Sequence, residues 1–473
     1  MNRREFIKYA AFTAWCSARQ RLLPLSAAPS EKKSRCNFIF ILADDFGWSQ
    51  LGCYGSGYYQ TPNIDRLARE GMRFTDAYAA GPVCSPTRAS IMTGKYPARL
   101  HLTDFIAGSS FPYEQLQQPN WQKHLPLEEV TIAEMLNSAG YVTASFGKWH
   151  LSIAKKPPQS APYDPDKQGF DEVIITEKPA SNQNSEKDAH NVDLITEKSL
   201  AFLDKNKDKP FFLYVAHNVV HDPVMGKKTL IAKYKSKPDS QLPENNPVLA
   251  AMIEDLDDSV GGILKKLEEL KIADKTIVVF FSDNGGLEKS AKQTPLRSGK
   301  ANLYEGGIRV PLIVRWPGVV KVGSTCDEPV ISVDFFPTIL DILSLRNTTR
   351  NQLDGVSILP LLRQTGGLGR QAIYWHYPHY HSAGLGPSGA VRAGDYKLIE
   401  WFDKTICGAG DEFELYDLRR DIGEQKNLAK ELPQKVGELS KALADWRRRV
   451  GAQMMTPNPG YDPDKAKKSK SLG

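Results

Sequence analysis

Four short polar clusters carry groups able to do chemistry: Asp44 with Asp45, Lys148 with His150, His217 with His221, and Asp283 with Asn284. The carboxylates of Asp44, Asp45 and Asp283 with the amide oxygen of Asn284 make a hard, all-oxygen donor set. Such a set suits Ca²⁺ or Mg²⁺, whereas zinc recruits imidazole or thiolate. Calcium is favoured because it accepts several protein oxygens in loose geometry. Three carboxylates in one place also need a positive centre, since each raises the pKa of the others. Taken singly, each cluster has a plain structural explanation: an Asp pair caps a turn or helix, Asp-Asn-Gly-Gly is turn chemistry, and His217 is a structural imidazole. A fifth feature is Cys84 in VCSPTRASIMTGKYP, beside Pro86 and Arg88 at what reads as the mouth of a helix. Its residues alone allow a small buried hydrophobe, half of a disulfide, or a nucleophilic thiol whose pKa Arg88 lowers.

The elements that must position these groups are legible in the apolar pattern. Each polar cluster follows a run that reads as a strand: Asn37–Ala43, 141–146, Phe211–Ala216 and Thr276–Ser282. In open α/β sheets, ligand sites form at the carboxyl ends of strands, so the clusters can converge. Helical patterns lie between the strands. One has Thr61 as N-cap, Pro62 in its first turn and Gly71 past its end; another opens with the capping box Thr131 and Glu134 and closes at Gly140. A third, 254–270, sets Leu256, Val260, Leu264 and Leu267 on one face. The alternation predicts an α/β fold: a large, mostly parallel sheet flanked by helices on both faces. Residues 155–187, rich in Pro, Asn, Gln, Ser and charge, read as a long surface insertion. Beyond about residue 345 come short strands, such as 390–400, and a terminal helix, 433–449. The expected organisation is therefore a catalytic domain over 36–345 and a smaller C-terminal α+β subdomain over 346–473, with short antiparallel strands packed by the terminal helix.

The stretch Cys84-Ser85-Pro86-Thr87-Arg88, continued by Ala89 to Pro97, resembles the signature of the type I sulfatases of the alkaline phosphatase superfamily, in which the cysteine of Cys-x-Pro-x-Arg is oxidised to formylglycine. Companion motifs match in family order. They are Leu42-Ala43-Asp44-Asp45, Gly147-Lys148-Trp149-His150, His221 ahead of Pro223, Ser282-Asp283-Asn284-Gly285-Gly286, Gly299-Lys300 and Glu305 to Pro311. Near the end, Leu415-Tyr416-Asp417-Leu418 with Glu424 and Asn427-Leu428 resembles the family's C-terminal subdomain. The resemblance implies an arylsulfatase-like sulfuric ester hydrolase with Asp44, Asp45, Cys84, Asp283 and Asn284 around a divalent cation. It implies catalytic roles for Cys84, Arg88, Lys148, His150, His221 and Lys300. In that scheme a hydroxyl of the hydrated formylglycine attacks sulfur, and His150 takes the proton whose loss re-forms the aldehyde. Lys148 and Lys300 neutralise sulfate oxygens, His221 protonates the leaving alkoxide with Lys300 assisting, and Arg88 holds the nucleophile. A formylglycine-generating maturation enzyme is the implied partner. Two departures stand out: His217 competes with His221 for the second histidine position, and Asp421-Ile422-Gly423-Glu424 lacks the family's common Asp-Pro at a turn.

Composition narrows the setting. Asn2-Arg3-Arg4-Glu5-Phe6-Ile7-Lys8, a mildly apolar run to Ala18 and small residues at Ser26, Ala27 and Ala28 read as a twin-arginine leader over 1–30, which implies the twin-arginine translocation machinery and an exported, periplasmic or secreted protein. Eight of the 61 Lys and Arg residues and two of the 55 Asp and Glu residues lie up to Arg35, so the remaining 53 of each sign balance, and no nucleic-acid partner is implied. The lysines from Lys465 to Lys470 read as a solvated tail. No later run is apolar enough to span a bilayer. The six cysteines show no Cys-x-x-Cys spacing, which leaves zinc knuckles and redox pairs unsupported. An exported enzyme meets sulfated glycans, and the histidines of Tyr374 to His381 (His376, His379, His381), with His101, are expected at the substrate rim. A packed strand with structural histidines explains the same residues equally well. Rival activities are a phosphodiesterase or phosphonate monoester hydrolase with the same nucleophile, and an inactive glycan-binding relative.

Overall fold

The computed structural model describes residues 35–153, 161–180, 190–347, 352–408 and 412–470; the expected leader and parts of the expected insertion, 154–160 and 181–189, lie outside them. Eight strands form the main sheet: β1 (Asn37–Ala43), β2 (Met72–Phe74), β3 (Val142–Gly147), β4 (Glu172–Ile175), β5 (Phe211–Ala216), β6 (Thr276–Ser282), β7 (Leu312–Arg315) and β8 (Ser324–Cys326). Their order across the sheet is β8-β2-β7-β6-β1-β5-β3-β4, and β7 alone among them runs antiparallel to its neighbours. β1 lies between β5 and β6 with both pairings parallel, Ile39 opposite Leu213 on one side and Val278 on the other. All seven residues of β1 are buried, which is why it reads as a continuous apolar run rather than an alternating one.

Alternate residues of β1 serve two cores. Phe38, Phe40 and Leu42 pack with Ala89, Ile91, Ile132 and Phe335 on one face; Ile39, Ile41 and Ala43 pack with Ile64, Ile195, Leu256 and Leu267 on the other. The helices responsible are α1 (Pro62–Glu70), α2 (Cys84–Thr93), α3 (Ile132–Ser138), α4 (Val192–Asn206), α5 (Pro247–Glu269) and α6 (Phe335–Leu343). The two-sided α/β architecture is thus as expected. The capping box at Thr131 and Glu134 is formed in both directions.

Several boundaries differ from expectation for identifiable reasons. α5 starts seven residues before 254, because Asn246 accepts hydrogen bonds from the Val248 and Leu249 amides and Pro247 occupies the first turn. The expected insertion contains β4, which pairs with β3 at the sheet edge. Gly71 is extended rather than left-handed; its need is close approach, since an added Cβ would lie 2.5 Å from Val314 O. The single strand expected at 390–400 is a hairpin turning at Gly394, and the terminal lysines fall in a short helix, Pro463–Lys470.

The second sheet is antiparallel: β9 (Ile373–Tyr377), β10 (Ser388–Ala393), β11 (Tyr396–Trp401) and β12 (Phe413–Asp417), in that order, with α7 (Pro433–Val450) packed through Leu439, Leu443 and Trp446. A buried ion triad ties it to the segment after β6. Lys397 Nζ lies 2.8 Å from Glu305 Oε1 and 2.7 Å from Glu424 Oε1, and the Glu305 amide donates to Glu424 Oε2 at 2.7 Å. Removing one partner of such a buried group leaves uncompensated charge, which costs about 3–5 kcal/mol. Lys397→Met is therefore expected to lower unfolding stability by about that much in denaturant titration; a loss under about 1 kcal/mol would show the triad to be dispensable.

Candidate active site

The four strands whose ends carry polar clusters are neighbours, in the order β3-β5-β1-β6. Asp44 and Asp45 leave β1, Lys148 and His150 leave β3, His217 and His221 leave β5, and Asp283 and Asn284 leave β6. Backbone bonds stitch these ends together: Lys148 N donates to Ala216 O, Val220 N to Asp44 O, and Asp283 N to Ala43 O. Two glycines are required by these approaches. Gly147 has φ +115°, and a Cβ there would meet Ala216 O at 1.8 Å; at Gly285 it would meet Gly306 O at 1.8 Å.

Cys84 is the first residue of α2, a helix whose ten residues are all buried. Its Sγ lies 3.4 Å from Asp44 Oδ1, 3.8 Å from Asp45 Oδ1 and 3.7 Å from Lys300 Nζ. Burial and the Asp283 charge hold its thiol well above the usual range, which counts against a thiolate nucleophile. The disulfide alternative fails too: Cys36, Cys53, Cys84, Cys326 and Cys407 are all free.

Opposite charges interleave around Cys84. Lys148 Nζ lies 2.6 Å from Asp44 Oδ2, and Lys300 Nζ 2.8 Å from Asp45 Oδ2. Arg88, fully buried, reaches Asp283 Oδ2 through Nε at 2.8 Å and donates through Nη1 to Lys148 O at 2.7 Å. Burial works to raise Asp45, but Lys300 and His221 hold its carboxyl far below the usual range. Asp283 instead is pushed up to about 6, by burial first and then by Asp44.

The carboxylate and thiol atoms of Asp44, Asp45 and Cys84, with a ring nitrogen of His221, all fall within 4.8 Å of one another. Asn284 Nδ2 donates to Asp45 Oδ1 at 2.8 Å, while its Oδ1 is buried with no hydrogen-bond partner among the described residues. An orphaned amide oxygen beside two carboxylates fits a hard cation. Asp283, also expected in this set, spends Oδ2 on Arg88 and Oδ1 on the Asp45 amide, 3.2 Å away.

The histidines separate by their partners. His150 Nε2 donates to Ile106 O at 2.5 Å, and its Nδ1 is buried with no hydrogen-bond partner among the described residues; burial and Lys148 keep the ring well below the usual imidazole pKa. Ser85 Oγ braces this corner, donating to His150 O and accepting from Ile106 N. His221 donates through Nδ1 to Asp222 O at 2.7 Å, which leaves Nε2 to face Lys300 Nζ at 3.1 Å. His217 is fully buried and pairs with Ser259, so His221 is the one at the centre.

A cavity of about 1360 Å³ opens over the cluster, lined by Asp45, Cys84, Lys148, His150, His221 and Lys300 at its floor, and by Phe105, Glu177, Lys289 and His381 on its walls. Of the four expected rim histidines, His381 alone lines it. His379 is fully buried between Thr103 and Gln118, His376 bonds Gln453 O and packs on Phe402, and His101 bonds Gly451 O. These three serve packing between loops, the structural alternative their composition allowed. Ser85 and Ile106 went unread in the sequence; Ser85 had a signal, lying inside the cysteine motif, whereas Ile106 acts through its carbonyl and has none.

The sulfatase family model matches residues 36–345, and the model for the C-terminal part of N-sulphoglucosamine sulphohydrolase matches 299–449. A sulfatase of Formosa agariphila is 31% identical over 87% of this chain and 88% of its own length. Human arylsulfatase A is 31% identical over 83% of each chain. The crystal structure of Ps i-CgsB superposes with a TM-score of 0.74 at 26% identity, covering 93% of this chain and 98% of that one. The chain belongs to the type I sulfatases of the alkaline phosphatase superfamily and is a sulfuric ester hydrolase.

Proposed function

We propose that this sulfatase removes sulfate from a sulfated carbohydrate, using residue 84 after its oxidation to formylglycine. The observation that carries the reading is the position of Cys84 Sγ, at the head of α2 between Asp44, Asp45 and Lys300. Formylglycine, as a hydrated aldehyde, supplies an oxygen nucleophile toward sulfur and a second hydroxyl through which the site resets. A divalent cation would be held by Asp44, Asp45, Asp283, Asn284 and residue 84, calcium by their oxygen donors, and would supply the charge that acidifies that nucleophile; Asp283 keeps lone pairs for it beyond those given to Arg88 and the Asp45 amide.

The protein's own groups do the rest. The ammonium groups of Lys148 and Lys300 flank residue 84 and face the oxygens of a bound sulfate, where fixed charge in a buried site is most effective. Arg88, anchored on Asp283 and on the Lys148 carbonyl, keeps that frame from shifting. Because His150 spends its Nε2 hydrogen on Ile106 O, its free Nδ1 is the atom able to take a proton from residue 84. His221 Nε2 and Lys300 Nζ sit together at the cavity floor, positioned to pass a proton to the departing oxygen. Every expected catalytic position is filled, unlike in an inactive binding relative.

The carbohydrate assignment draws on relatives. Human N-acetylgalactosamine-6-sulfatase is 32% identical over 74% of this chain, and Ps i-CgsB has been seen with a neocarrahexaose at 26% identity. A phosphonate monoester hydrolase at 19% identity shares the fold alone. Maturation of Cys84 requires a formylglycine-generating enzyme, and the twin-arginine leader would carry the product out. Among the described residues no helix is long and apolar enough to cross a membrane.

Mass spectrometry of the tryptic peptide 74–88 from natively expressed protein is expected to show residue 84 lighter by exchange of hydrogen sulfide for oxygen and reactive to a hydrazide probe. An intact thiol in active protein overturns the mechanism. Removing divalent ions with a chelator is expected to abolish hydrolysis of an aryl sulfate, with Ca²⁺ restoring more than Zn²⁺; full activity without metal contradicts the ligand assignment. The depressed pKa of His150 keeps its ring neutral at pH values where a free imidazole is charged. The acid limb of kcat, which contains the step that re-forms the aldehyde, is therefore expected below about 6.5; a limb at or above that value rules out His150 as the base.

A further inference from the structure

His381 is held in one orientation and offers one free donor. It lies beyond β9 in the turn 381–385, where the Ala383 amide donates to His381 Nδ1 at 3.0 Å and the Gly384 amide to His381 O at 3.0 Å. An accepted N–H means that Nδ1 carries no hydrogen, so the neutral ring bears its hydrogen on Nε2. Nothing among the described residues accepts from that atom. His381 lines the same cavity as Cys84, Lys300 and His221.

The turn is clamped to the catalytic floor. Asn302, two residues beyond Lys300, donates through Nδ2 to Ala383 O at 3.1 Å and accepts from the Leu385 amide at 2.8 Å. Phe105 packs against the imidazole in a T-shaped arrangement with ring centroids 5.4 Å apart. Burial and the nearby Lys300 charge bring the His381 pKa down to about 4, so the ring stays neutral at working pH. It neither adds to the charge that Lys148 and Lys300 provide nor supplies an acid. What it offers is a single preorganised N–H beside an aromatic edge, the kind of group that reads an uncharged oxygen on a ligand.

We propose that His381 is a specificity-determining residue whose Nε2–H donates to an oxygen of the leaving group, a hydroxyl or ring oxygen next to the sulfated carbon, so that the site favours sulfated sugars over sulfate esters with no acceptor there. The assignment rests on the carbohydrate reading above and extends it to one atom. A site built to hydrogen-bond a substrate oxygen discriminates against analogues that lack it, because its donor is then left unpaired.

The test compares wild type, His381→Ala and His381→Gln, each normalised to its formylglycine content, on para-nitrophenyl sulfate and on a panel of monosulfated hexoses and N-acetylhexosamines. His381→Ala is expected to lower kcat/KM for the best sugar substrate about tenfold more than for para-nitrophenyl sulfate. The Gln variant, whose amide nitrogen reaches the place of Nε2, is expected to recover most of that ratio. An equal fall on both substrates makes His381 a sulfate-binding or packing residue and overturns the assignment; so does an unchanged ratio, or failure of Gln to restore what Ala loses. If wild type cleaves para-nitrophenyl sulfate but no sugar in the panel, the carbohydrate reading itself has failed and takes this assignment with it.

Discussion

Mutual repulsion among buried carboxylates governs this site. Asp44, Asp45 and Asp283 are all fully or almost fully buried at the ends of two adjacent strands, where ionised groups of like sign oppose one another most strongly. Lys148, Lys300 and Arg88 answer that charge one for one. The unequal effect on the acids follows: Asp45, between Lys300 and His221, is driven down, whereas Asp283 is pushed up by burial and Asp44. The orphaned Asn284 oxygen marks where a further positive centre fits.

The fold meets that constraint by placing charge at strand ends and holding it with backbone. β1 is the centre of the arrangement, since both of its neighbours are parallel and end at the same edge. The cations arrive from elsewhere: Lys148 from β3, Arg88 from α2 and Lys300 from the segment between β6 and β7. Because the three come from different elements, the site exists only when these strands, α2 and the segment after β6 are assembled. Gly147 and Gly285 let these elements come closer than any side chain allows. Small rigid approaches of this kind preorganise charge before substrate arrives.

Most of this was legible in the sequence because it depends on patterns of local origin. Buried parallel strands announce themselves as unbroken apolar runs, and three of the four site-bearing strands, Asn37–Ala43, Phe211–Ala216 and Thr276–Ser282, have the limits their apolar runs indicate. Strand-end clusters then locate the floor of the cavity without any knowledge of side-chain contacts. The walls were less legible. His376, His379 and His381 stand within six residues of each other in the sequence, yet a strand end and a turn send only the last to the cavity. β4 was hidden because its apolar run, Val173 to Ile175, is short and set in polar, proline-rich sequence. The start of α5 depended on a side-chain cap, and Ile106 on a carbonyl, neither of which leaves a periodic trace.

The Lys397 triad makes the two sheets depend on one another. Glu305 sits five residues past Lys300, whereas Lys397 lies on β11 and Glu424 in the loop after β12, so the part that carries Lys300 and the second sheet share one buried ion cluster. A chain that ended before Lys397 would leave the Glu305 carboxylate buried without that partner, five residues from the lysine of the site. The second sheet is therefore part of what holds the catalytic floor, and a shortened chain loses more than a peripheral covering.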